Sequence, residues 1–248
     1  MKAKGYLIIM FAILSVGLAA CGGNKSNQAT EKKSLSADMS NEPSSSSTSS
    51  SSSQSWSDYQ YKVPKSVQKN AHYVKNGDLS TKHQFTFDRF GTRQQLADVT
   101  TKPVDIKADK LTYKVNQVRV IKNTAKTPQA KEAAEQVLNL RSIPDTYYTF
   151  VLNYTVTNHH NFEIALNGVN YVKTNQGQML TTANQLTDSS AGNKIGANRA
   201  VSFAMTGYLH NYATQPATKL TIQFGAIYTT TQKKVAPSPD STLTINLK

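Results

Sequence analysis

Between Thr146 and Thr157 the chain alternates: Tyr148, Phe150, Leu152, Tyr154 and Val156 fall on one parity, and Thr149, Asn153, Thr155 and Thr157 on the other. A period of two sustained this long fits a strand with one buried face and excludes a helix, whose side chains repeat every 3.6 residues. A strand that apolar on one side requires a second layer to cover it, so the rest of the chain must supply further strands. It does so in short alternating runs. Leu111, Tyr113 and Val115 share one parity while Val118 and Val120 take the other, which predicts a bulge near Asn116-Gln117. Ile164 with Leu166, Val169 with Tyr171, then Val201, Phe203 and Met205, then Leu220, Ile222 and Phe224, and finally Leu243, Ile245 and Leu247 continue the pattern. Asn167-Gly168 reads as a hairpin turn between two of these runs, Asn175-Gln176-Gly177 as the next turn, and residues 187–198 as a loop.

One segment changes period. Thr127 before Pro128 reads as an N-cap with proline at the first helical position, and Ala130, Ala133, Ala134, Val137 and Leu138 form one apolar stripe. The helix is expected over about 128–141, with Lys131 and Glu135 paired on its outer side and Pro144 barring much continuation. Many short strands with one inserted helix predict an all-β, antiparallel sandwich.

The order of these parts, a bulged strand at 111–120, a helix at 127–141, the strand Tyr148 to Asn158 and the turn Thr174 to Gly177, resembles the telokin-like, immunoglobulin-like domains of unknown function in Gram-positive lipoproteins. The resemblance covers residues 104–248 and rests on a pattern of elements. It implies an antiparallel immunoglobulin-like β-sandwich with no catalytic residues to transfer. The paired cysteines of antibody-type domains are missing, so immune-type recognition is not implied.

The chain before residue 104 divides in three. In residues 1–20, Lys2 and Lys4 precede an apolar run from Leu7 to Leu14, followed by the small residues Ala19-Ala20, the layout of an export signal peptide. Cys21, directly behind that run, resembles the lipobox cysteine of bacterial lipoproteins; the resemblance implies cleavage after Ala20, a diacylglyceryl group on the thiol, and a protein held on the extracellular face of a cell membrane. Residues 21–55 are polar and serine-rich, too poor in apolar side chains to offset the entropy of ordering, and are expected to act as a disordered linker with an r.m.s. span of about 30 Å. A lipid anchor with such a spacer is similar to the build of Gram-positive surface lipoproteins. Residues 56–103 are expected to be partly ordered, with an edge hairpin around Phe85, Phe87 and Gly91. Within them Trp56, Tyr59 and Tyr61 form either a sugar-stacking or partner-docking patch or a tail pinned onto the domain, and the alternation of Tyr59, Tyr61 and Val63 before Pro64 favours the tail.

Cys21 is the sole cysteine, so once it is lipidated no thiol remains for a disulfide, a thiolate metal site or a nucleophile. Twenty-eight lysines and arginines against fifteen acids give a formal charge of +13, with Lys62, Lys65, Lys69 and Lys75 crowding the segment next to the linker. Such a surplus has anionic wall polymers or lipid head groups as natural partners outside a cell, and it equally keeps a tethered domain soluble. Nucleic acid is not expected at that location.

The signals for chemistry are sparse. His159, His160 and Glu163 bring metal-ligand types into one turn, but neighbouring histidines on an extended segment point apart and nothing local completes a site, so no metal or other cofactor is expected. Ser66 and Lys69 have the spacing of the serine-lysine pair of penicillin-interacting enzymes, without the companion motifs. Asp105 and Asp109 are placed beside a turn and solvated, and His72, His83 and His210 stand isolated. The expectation is a non-catalytic binding or structural role at the cell envelope. Two other classes compete with it: an accessory or solute-capturing lipoprotein of a transporter, which needs a pocket, and a wall-modifying enzyme, which needs converging polar groups in a cleft.

Overall fold

The computed structural model describes residues 58–247. Cys21, Trp56, the signal segment and the serine-rich linker lie outside the described residues.

The alternating strand, β5 (Thr146–Asn158), sits in the middle of the largest sheet. It pairs along its length with β4 (Leu111–Ala125) on one side and β11 (Ala200–Leu209) on the other. Beyond β4 come β2 (Thr92–Thr100), β1 (Phe85–Phe87) and β3 (Val104–Ala108), and beyond β11 comes β9 (Leu186–Asp188). β4 serves two neighbours because its length exceeds either: Val104 to Ala108 pair with its first residues and β2 with Val118 to Ala125. The changeover falls at the expected bulge, where the β4–β5 register shifts between Val115 and Gln117.

Two four-stranded sheets form the opposing layer. One runs β10 (Lys194–Ile195), β6 (Ile164–Leu166), β13 (Ile227–Thr229), β14 (Lys234–Ala236); the other runs β15 (Leu243–Asn246), β12 (Lys219–Phe224), β7 (Val169–Thr174), β8 (Met179–Leu180). The core joins Val118, Val120, Phe150, Leu152, Tyr154 and Met205 of the large sheet to Ile164 and Ile227 of one small sheet and Leu220 and Ile222 of the other. Tyr113 stacks on Phe224 with ring centroids 4.1 Å apart. Among the described residues the strands pair antiparallel and one helix exceeds a single turn, so the fold is an all-β, antiparallel sandwich.

The expected hairpin at Asn167-Gly168 is not one. β6 pairs with β13 and β7 with β12, so the turn carries the chain from one small sheet to the next. The partner strands switch sheets at the same level, and Gly225 N donates to Gly168 O. Gly168 takes φ +78°, and a Cβ there would stand 2.7 Å from an Asp188 carboxylate oxygen. The glycine signal was therefore real, but it marks a corner.

The helix α2 (Pro128–Val137) begins where expected, with Thr127 Oγ1 accepting from Ala130 N at 3.0 Å. It stops four residues short of Arg141. Asn139 takes φ +50°, Asn139 N donates to Gln136 O and Leu140 N to Glu135 O, the double bond pattern that closes a helix C-terminus with a left-handed residue. Ala130, Ala133 and Leu138 are buried, whereas Val137 faces outward and is 60% exposed. The expected Lys131–Glu135 pair does not form, because the following loop engages both: Lys131 Nζ lies 3.2 Å from Asp145, and Glu135 accepts from Ile143 N.

The sandwich also begins earlier than residue 104. β2 pairs with β4 from Thr92 to Thr100, and β1 pairs with β2. Leu79 and Val74 from the preceding loop cover Leu96, Ile121 and Val151 on the outer face of the large sheet. Leu138 and Ile143 cover Tyr147 and Tyr208 on that same face. β5 is thus buried on both sides over part of its length, where alternation alone predicts one wet face.

Candidate anion-binding site

On the inner face of β4 the apolar series Val118, Val120 is continued by Lys122, in register with Gln95 of β2 and Tyr148 of β5. Cross-strand partners share a face, so the side that packs the core turns cationic and polar toward this end. A loop completes the arrangement. Gln84 Oε1 accepts from Ser80 N and Thr81 N, His83 N donates to Leu96 O and Leu96 N to Gln84 O, which pins residues 80–84 against β2 and sets Lys82 and His83 beside Gln95. His83 holds φ +75° in this loop. Together Lys82, His83, Gln95, Leu96, Ala97 and Lys122 line a cavity of about 260 Å³.

The chemistry of that lining is one-sided. No carboxylate is part of it, and neither lysine is paired with one among the described residues. Gln95 is polarised by its neighbour on the strand: Arg93 Nη1 donates to Gln95 Oε1 at 2.7 Å, which leaves the amide NH₂ of Gln95 as its free group. Arg93 is itself spent, its guanidinium 4.0 Å above the Phe85 ring. The lining residues between them carry two ammonium groups, an imidazole and an amide donor, a set suited to an acceptor-rich anion.

The residues singled out in the sequence lie elsewhere. His159 and His160 do point apart: His159 Nε2 meets Thr112 Oγ1 at 3.1 Å on the surface, while the buried His160 lies 3.3 Å from Asp109 at ion-pair distance without hydrogen-bond geometry. Glu163 is exposed, and among the described residues no three His, Asp, Glu or Cys side chains converge on a metal position. Asp105 is exposed on β3 and Asp109 occupies the β3–β4 turn at φ +51°. Ser66 lies on the exposed four-residue helix α1 (Lys65–Gln68), and Lys69 is its C-terminal cap. Lys62, Lys65, Lys69 and Lys75 are exposed and line neither this cavity nor another of about 290 Å³ walled by Lys107, Asp109 and residues 236–241. His210 is exposed, and His72 lies edge-on to His83. Tyr59 and Tyr61 form the pinned tail, stacked on Phe90 and Phe87, with Tyr61 N donating to Arg89 O. No helix of the described residues is long and apolar enough to cross a membrane.

One half-buried carboxylate is fully committed to structure. Asp188 accepts from Tyr154 Oη at 2.7 Å, Val169 N at 2.8 Å and both Ser190 N and Ser190 Oγ, tying β5 and β9 to the corner at Gly168. Burial, reinforced by the Asp188 charge, pushes the hydroxyls of Tyr154 and Tyr113 well above the ordinary phenol range.

No family model matches the chain, and no curated protein matches it. Among solved structures, one described as the crystal structure of a functionally unknown protein from Listeria monocytogenes EGD-e is similar at 10% identity, over 52% of this chain and 73% of that one, with a TM-score of 0.36.

Proposed function

We propose that this protein is a lipid-anchored lipoprotein of the telokin-like kind, held through Cys21 on the extracellular face of the cell membrane, and that its folded part binds anionic polymers of the envelope without catalysis. The observation that carries the binding role is the cavity of Lys82, His83, Gln95 and Lys122, which presents donors and positive charge with no carboxylate in its lining. The charge of +13 supports the same reading, because a long-range positive field draws polyanions to the surface before contact. The placement outside the cell rests on the n-region, the apolar run and the lipobox-like cysteine.

Cosedimentation of the full chain with anionic wall polymer across a salt series tests the reading. Exposed charges are screened beyond about 8 Å at physiological ionic strength, so binding is expected at low salt and weakens steeply as salt is added. Absence of binding at low salt would remove the anionic partner.

A further inference from the structure

We infer that the cavity between the 80–84 loop and the β2–β4 pair is a specific subsite for one phosphodiester group of a soluble, phosphate-linked polyol chain. The inference rests on the anionic-partner reading above and names the group that the site takes.

The residues that line the cavity carry groups suited to a tetrahedral oxyanion. Lys82 and His83 come from a loop, Gln95 from β2 and Lys122 from β4, so the positive and N–H groups approach from separate backbones. A planar carboxylate is best met by the two-pronged fork of an arginine, and the arginine of this region is already turned onto Gln95 and the Phe85 ring. Lysine ammonium groups act as point charges and serve phosphate oxygens from any direction. A cavity of about 260 Å³ exceeds the group itself, leaving room for the carbons on either side of a diester.

A lipid head group would offer the same diester, but the surroundings do not suit a bilayer. Surfaces that dock on membranes combine cations with exposed apolar side chains that enter the acyl boundary. The exposed large hydrophobic residues among those described are Val137, Phe162 and Met179, and none of them lines this cavity.

The test uses the full chain and a defined probe, glycerophosphoglycerol, with glycerol and glucuronate as the uncharged and carboxylate comparisons. Titration followed by NMR is expected to move the Gln95 side-chain NH₂ resonances saturably with the diester and not with glycerol or glucuronate. Lys82→Gln and Lys122→Gln should each weaken diester binding about tenfold, the worth of one charge-assisted hydrogen bond. The pair Lys233→Gln/Lys234→Gln, which removes two positive charges from the exposed β13–β14 segment of another sheet, as many as the two site variants remove together, should leave it nearly unchanged. Thermal melts confirm that each variant is folded. Equal response to glucuronate, no movement of Gln95, or binding to phosphatidylglycerol vesicles without binding to the soluble diester would overturn the subsite. If the double variants Lys82→Gln/Lys122→Gln and Lys233→Gln/Lys234→Gln lose polymer binding equally, the subsite falls while the long-range attraction stands; if the unaltered chain binds no anionic polymer, the broader reading falls as well.

Discussion

Phe150 shows how much one position in β5 carries. It is fully buried, in register with Val120 on β4 and with Gly207 on β11, and a Cβ at Gly207 would run into its ring. Phe150→Ala is expected to cost about 3–5 kcal/mol in a denaturant melt, because the rigid strands around it cannot close the void. Val151, one residue on, is half-buried against Leu79, Leu96 and Ile121 on the outer face, so Val151→Ala should cost about 1 kcal/mol, less than the inner position but not zero. Equal losses would mean that the two faces are equally packed. The buried tyrosines set a second measurable property. Desolvation raises the hydroxyl pKa of Tyr113, Tyr147 and Tyr154, so the fold holds these protons more tightly than the unfolded chain does. Their contribution to stability is fully present below about pH 10, where a free tyrosine begins to ionise, and is lost as pH rises above it. Alkaline titration should therefore show part of the tyrosinate absorbance appearing only with unfolding; complete ionisation in a folded protein would refute the burial of these hydroxyls.

At the scale of elements, α2 depends on both of its ends. Thr127 Oγ1 accepts from Ala130 N and donates to Phe90 O, so a single hydroxyl caps the helix and ties it to the loop before β2. Thr127→Ala should lower stability by about 1–2 kcal/mol, and Thr127→Ser should restore most of it, as followed by thermal melts. The start of α2 was legible because threonine before proline is a local capping signal. Its end was misplaced because Asn139 can adopt the left-handed conformation that glycine usually supplies, and the sequence offered no glycine there. The β6–β7 corner carries a related lesson. Asn-Gly specifies a tight reversal, but the partners of the two short flanking strands are β13 and β12, more than forty residues later.

For the whole molecule, the large sheet is covered on its inner face by two small sheets and on its outer face by α2 and the loop before β1. The cationic cavity exists because the loop at residues 80–84 is hydrogen-bonded to β2 while β2 is paired with β4. Tethering would hold that cavity near the envelope. Cys21→Ser removes the only thiol and should move the chain from the membrane fraction to the soluble fraction, since two acyl chains give firm anchoring that no other part of the proposed attachment supplies. Retention of the variant in salt-washed membranes would show that the attachment is not through Cys21.

What the sequence determined by itself is what side-chain period and local capping encode: the all-β character, the alternation of β5, the bulge after Val115 and the first turn of α2. A trace of the site was there too, since Lys122 interrupts the run of apolar residues on the inner parity of β4. The rest was decided by tertiary structure. Strand partners are joined through backbone N–H and C=O groups that every residue but proline carries, so nothing in Ile164 to Leu166 or Val169 to Thr174 names the sheet each will join. Burial of the outer face at Val151 depends on Val74 and Leu79, a segment distant in the chain. The cavity likewise draws Lys82, Gln95 and Lys122 from three segments that no local pattern connects, and only backbone pairing brings them to one cavity.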